Sequence, residues 1–241
     1  LRAWVRIKIV KAFGPDDWLM VIAVFCFTWM ASAMAADMCF GFGRHILEVP
    51  LPVLIPAFKT YMVAQIAYTL TVMFLKLSVC WFYLRITVIR WQLCVVWVLI
   101  AVNASVNFAA VIAIINQCTP VNYLWTQFTG AKGTCLPVFV LQDMSYAFGA
   151  LSVATEWTLS TMPIFLIAKL QMDRRLKLFV LLILGLGYFA SIASIIRLTH
   201  LDALTRSEDY TYTVMPIAFW SVVENMVGII AANLATYRPL F

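Results

Sequence analysis

The stretch VLLILGLGYFASIASII (180–196) runs seventeen residues without a charged side chain. Its apolar groups fall on every side of a helix, so it has no polar face to turn toward water. Barrel strands would alternate over about ten residues, and this run does not. With its flanks it reaches the roughly 20 helical residues needed to cross a ~30 Å hydrocarbon core. Five other runs share the character, and the pattern predicts spans at about 18–40, 58–84, 93–116, 138–170, 178–199 and 213–234. The expected fold is an all-α, polytopic transmembrane helix bundle forming a single domain. The 138–170 run is overlong, so tilt, a kink at Pro163 or an interfacial extension is expected.

Composition agrees. Of 241 residues, 64% are hydrophobic and 12% charged, against about 25% charged in a soluble domain. The net charge of +6 is not gathered into a patch with interleaved aromatics, which argues against nucleic acid. It lies between the apolar runs. Arg2, Arg6, Lys8, Lys11, Arg85, Arg90, Lys169, Arg174, Arg175, Lys177 and Arg238 fall in one alternate set of connections, against Arg44, Lys132 and Arg206 in the other. Positive charge is retained in the cytoplasm, so both ends of this stretch are expected there, in a multi-pass protein of the plasma membrane.

That orientation puts Cys118 and Cys135 together in the longest exterior loop. An oxidising compartment would permit a disulfide between them; the alternative is two free thiols near a helix end. Metal is not expected, since there is no CxxC spacing and His45 and His200 are the only histidines. The lone Asn103-Ala104-Ser105 glycosylation pattern falls inside a span and is read as chance.

Ionisable groups at membrane depth cost roughly 2.5–3.5 kcal/mol each even on the gentler insertion scale. Counted from the cytoplasmic ends, Lys76, Glu224 and Glu156 fall within about 6 Å of one depth. They predict a buried polar cluster with Asn225 and Thr155 as hydrogen-bonding neighbours. Its bland role is helix–helix glue; its sharper one is switching or ion coupling. Asp37, His45, Asp143 and Arg197 group toward the outer ends and are candidates for an exterior ligand pocket, although Lys59 and Arg197 could instead snorkel. Arg85, Arg90, Arg174 and Arg175 form a basic cytoplasmic face, suited to a signalling partner or simply to anionic lipid.

Several short motifs occur together: FGPDDW (13–18), GFGRH (41–45), FLKLSVCWFYLRI (74–86), and Cys118-Thr119-Pro120 followed by Trp125 and Cys135. Later come Glu156 seven residues before Pro163, IIRL (195–198), EDYTY (208–212), FWSVVE (219–224), GIIAA (228–232) and RPL (238–240). In this order and spacing the chain resembles the fungal rhodopsin-like domain family. That family includes proposed surface-sensing receptors and membrane proteins encoded in secondary-metabolite clusters. The resemblance implies seven helices in a rhodopsin-like architecture, with the first preceding the basic stretch at 2–11; a cytoplasmic start to this stretch likewise calls for one more helix upstream. The chain departs from the family pattern at Glu156, where Asp is usual, at Ser152, where Asn is common, and at Ala235, where Pro is usual.

Retinal is not expected as a cofactor, because residues 213–241 contain no lysine to form a Schiff base, and no other cofactor is expected. The leading function is a non-retinal receptor that senses an extracellular or surface cue and signals to a cytoplasmic partner such as a G protein. The alternative is a transporter or ion-coupled protein using the Lys76/Glu156/Glu224 layer, although no inverted repeat is visible. Enzymatic activity is not expected, since only weak Ser/Glu combinations exist at membrane depth.

Overall fold

The computed structural model describes residue 6 and residues 14–45, 48–87, 89–127, 130, 132–167, 174–206 and 210–236. Six long helices make up most of it: α1 (Pro15–Cys39), α2 (Leu51–Ile86), α3 (Arg90–Ile115), α4 (Val138–Ile167), α5 (Arg174–Arg206) and α6 (Tyr210–Ala235). Between α3 and α4 lie two short antiparallel strands, β1 (Cys118–Thr119) and β2 (Thr134–Cys135), and one helical turn, Tyr123–Thr126.

Helix starts follow local chemistry. At α1, Pro15 occupies the first turn, where its missing N–H costs nothing. The Gly14 N–H donates to Asp17 Oδ2 at 3.1 Å, so an acidic residue in the first turn caps the helix. The second span is expected from about residue 58, but α2 begins at Leu51, running through prolines at 52 and 56 that a helix interior would resist. Pro50 is the N-cap and Pro52 lies in the first turn, where backbone N–H groups have no intrahelical acceptor. Pro56, further in, interrupts a single bond. At 36 residues, α2 is about 54 Å long and overshoots a membrane core.

The bundle turns its apolar bulk outward. Trp18, Phe25, Phe108, Phe139 and Phe219 are all exposed, Phe108 by 66%, which is suited to lipid and not to water. Small residues occupy the helix seams instead: Ala23 and Ala33 on α1, and Ala57, Ala64 and Ala67 on α2, are buried. On α6, a Cβ at Gly228 would come within 2.8 Å of Leu75 Cδ2, so glycine sets how closely α6 approaches α2. Asn103 is buried in the α2–α3 seam and donates to the Met73 carbonyl at 3.1 Å.

Among the described residues, five stretches are long and apolar enough to cross a membrane: Pro15–Cys39, Pro52–Ile86, Arg90–Ile115, Leu181–Leu201 and Thr211–Ala235. The expected span at 138–170 is helical over Val138–Ile167, 30 residues or about 45 Å of helix. It carries Ser152, Thr155 and Glu156 near its middle. That polarity belongs to the interior network described next.

Candidate functional site

Helical spacing aims four faces at one point. Tyr68 and Lys76 lie eight residues apart on α2, and Ser152, Thr155 and Glu156 fall within one turn on α4. Ser194 and Arg197 are adjacent on α5, and Ser221, Glu224 and Asn225 on α6.

Lys76 is buried and forms an ion pair with Glu156 Oε1 at 3.2 Å. Its ammonium also donates to the Ser152 carbonyl (2.9 Å), Ser152 Oγ (2.7 Å) and Thr155 Oγ1 (2.9 Å). The Glu156 carboxylate accepts from the Ser152 hydroxyl at Oε1 and from the Ser194 hydroxyl at Oε2, both at 3.2 Å. A buried charge is tolerable only when paired and hydrogen-bonded in this way.

Glu224 belongs to a second pair. Its Oε2 lies 3.4 Å from Arg197 Nε, and Tyr68 donates to its carboxylate oxygens at 3.2 and 3.3 Å. Two cations therefore face two carboxylates, and the layer is formally neutral. Depth counting from the sequence placed Arg197 with the outer groups. The structure instead pairs it in the inner layer, because α5 continues nine residues past it to Arg206, about 14 Å of further helix. It does not snorkel. Tyr68, Ser152 and Ser194 were not singled out from sequence as partners; for Tyr68 the available signal was its two-turn spacing from Lys76 on α2.

Asn225 is buried but makes no bond to this layer; its amide donates back to the Ser221 carbonyl at 2.9 Å. Its Oδ1 has no hydrogen-bond partner among the described residues. With Lys76, Glu156 and Glu224 it lines a cavity of about 120 Å³.

A larger cavity, of about 510 Å³, opens on the side of the β-hairpin. Asp37 and Arg197 both line it; His45 and Asp143 do not. His45 stacks on Tyr212 with ring centroids 5.0 Å apart, and Asp143 is exposed. The proposed outer group of four is thus divided. The GFGRH segment runs beside the cavity: Gly41 (φ 98°) and Gly43 (φ 95°) adopt left-handed backbone that favours glycine. Gly43 N–H donates to the Thr211 carbonyl at 3.1 Å, and Thr211 Oγ1 donates to the Arg44 carbonyl at 2.9 Å, fastening the segment to the start of α6. Phe42 stacks on Tyr61, centroids 5.4 Å apart.

A disulfide joins Cys118 to Cys135, which are paired across the hairpin. Lys59 is exposed near the start of α2; its ammonium sits 5.4 Å from the Trp125 ring centroid, and Trp125 packs on Val49, Leu54 and Phe58. The loop is held against the start of α2.

At the opposite end, Asp16 is fully buried. It meets Arg6 Nη2 at 3.2 Å and Arg85 Nη1 at 3.7 Å, and its carbonyl accepts from the Ser78 hydroxyl at 2.6 Å. Arg85 is therefore engaged by this acidic residue and does not simply project from a basic face. Arg90 is exposed at the start of α3. The side chains of Arg174 and Arg175, and the RPL stretch (238–240), lie outside the described residues. Among the described residues no group of three His, Cys, Asp or Glu is placed to hold a metal ion.

A family model described as the fungal rhodopsin domain matches residues 1–241. "Fugralins biosynthesis cluster protein 2" of Gibberella zeae is 27% identical over 239 residues, covering 95% of this chain and 58% of that protein. "Receptor GIN3" of Arthrobotrys oligospora is 23% identical over 245 residues, covering 100% of this chain and 57% of that receptor. "Polyenoic acids biosynthesis gene cluster protein Ba17b" of Metarhizium anisopliae is 27% identical over 256 residues, with 100% and 68% covered. The chain thus spans little more than half the length of the first two relatives. No solved structure matches it significantly.

Proposed function

We propose that this multi-pass membrane chain, which belongs to the fungal rhodopsin domain family, is a non-catalytic, non-retinal receptor of the plasma membrane. It senses an exterior cue in the 510 Å³ cavity and signals to a cytoplasmic partner of the G-protein type. The observation that carries this reading is the double position of Arg197, which lines the cavity and holds Glu224 at 3.4 Å. A ligand that moves Arg197 changes the partner of a buried carboxylate on α6, and an interior ion pair of this kind is a two-state element that a ligand can bias. The likeness to a protein named as a receptor supports it.

The test is nucleotide exchange on a heterotrimeric G protein with the full protein in lipid nanodiscs. Glu224→Gln, which keeps the shape but removes the charge, should shift basal exchange severalfold. Exchange identical to wild type at equal folded yield would remove the support for signalling through this layer.

A transporter reading has one observation in its favour, the 120 Å³ cavity lined by Lys76, Glu156 and Glu224. Proton-dependent uptake into proteoliposomes, abolished by Glu156→Gln, would establish it in place of the receptor.

A further inference from the structure

Asp37 is 4% exposed and lines the larger cavity. It accepts a hydrogen bond from the Thr60 hydroxyl, but no cationic side chain lies within ion-pair distance of it among the described residues. Every other buried carboxylate described above has a cation: Asp16 and Asp17 have Arg6, and Glu224 has Arg197. A buried charge without its counter-charge is costly, and here it borders a cavity.

Arg197 lines the same cavity, and its Nε and Nη2 are buried with no hydrogen-bond partner among the described residues. The charge of Arg197 is already matched by Glu224. What it lacks is an acceptor, not an anion. The two features lie at different depths. Thr60, which holds Asp37, and Tyr68, against which Arg197 stacks, are eight residues apart on α2, about 12 Å along the axis. Between them the wall is largely apolar, with Met34, Ala64, Phe148 and Met215 among its residues. A volume of 510 Å³ lies in the range of small-molecule sites.

We propose that this cavity binds an amphipathic organic cation: a protonated amine pairs with Asp37, and an apolar body about 12 Å long carries a hydroxyl or carbonyl oxygen to Arg197. A carboxylate ligand is disfavoured at both ends, by Asp37 directly and by Glu224 behind Arg197. A neutral alcohol would leave Asp37 uncompensated. This ligand class rests on the receptor reading only for its consequence; binding itself can be measured without signalling.

The test uses the full protein in lipid nanodiscs, with thermal unfolding followed by tryptophan fluorescence. The probes are aminodecanol, which carries an amine and a hydroxyl at opposite ends, decanol and decanoate. Aminodecanol should raise the unfolding midpoint, and the other two at equal concentration should not. Asp37→Asn should weaken aminodecanol binding at least about 100-fold, as expected when one partner of a buried ion pair is removed. Asp143→Asn, outside the cavity, should leave it unchanged. If Asp37→Asn fails to fold, Ala113→Leu, at a half-buried lining position, narrows the cavity without touching either charge and should abolish the shift.

Equal stabilisation of wild type and Asp37→Asn overturns the proposal, as does stronger stabilisation by decanol or decanoate, or no shift with aminodecanol. If the amine fails while G-protein exchange still depends on Glu224, the ligand class falls and the receptor reading stands. If the amine binds and exchange is indifferent to Glu224, the reverse holds.

Discussion

The guanidinium of Arg197 lies 5.1 Å from the ring centroid of Tyr68, and both side chains meet the Glu224 carboxylate. Three helices, α2, α5 and α6, are joined through one buried anion. The stacking leaves the guanidinium edge for Glu224 and for the cavity, so these residues connect a roomy outer space to the neutral ion layer beneath it.

Removing both members of that pair should cost less than the two single removals added together. Arg197→Ala strands Glu224, which is 4% exposed, and should destabilise the protein by about 3–5 kcal/mol. The double variant with Glu224→Ala should lose clearly less than the sum of the single changes. Thermal unfolding in nanodiscs measures the cycle; strict additivity would show that the pair carries no coupling.

Lys76→Met keeps the length of the side chain but leaves Glu156 with only the hydroxyls of Ser152 and Ser194 as described partners. A loss of about 3–5 kcal/mol is expected. Adding Glu156→Gln should recover most of it, because the amide carries no charge to strand. Folded yield by size-exclusion chromatography after a heat step reads both variants.

The disulfide closes a loop with a sequence separation of 17, and loop-closure entropy for that length is worth about 3 kcal/mol. Cys118→Ser should lower stability by that order and free the loop carrying Trp125 from α2. Non-reducing mass spectrometry should show the linked peptides in wild type, with both thiols unreactive to alkylation.

At the other end of the bundle, Arg85 is 43% exposed and 3.7 Å from Asp16. Arg85→Ala should therefore change stability by less than about 1 kcal/mol. Asp16→Ala should cost several times more, since it also removes the nearer of the two carboxylates that hold the buried Arg6, leaving only Asp17 at 3.7 Å. Equal effects in a denaturation series would mean that solvent screens both contacts alike.

Much of this was legible in the order of residues. Apolar run length marked the helices, and the isolation of Cys118 and Cys135 marked the candidate disulfide. Lys76, Glu156 and Glu224 stood out because charge at membrane depth is rare. Other features were not legible. The three prolines before Phe58 looked like a helix stop, although a first turn tolerates proline. Ser152 carried no mark, because a lone serine in a span is cheap, but its carbonyl and hydroxyl both accept from Lys76.

Helix identity and bundle class were set by the sequence alone, because a run of apolar side chains needs only its own length to require lipid around it. The pairing of Arg197 with Glu224, the division of the outer residues and the solitary charge of Asp37 were decided by tertiary structure. Each residue turns a helix by about 100°, and where a side chain points depends on how far its helix extends and how its neighbours rotate against it. Counting depth along the chain gives one coordinate, whereas an ion pair requires all three.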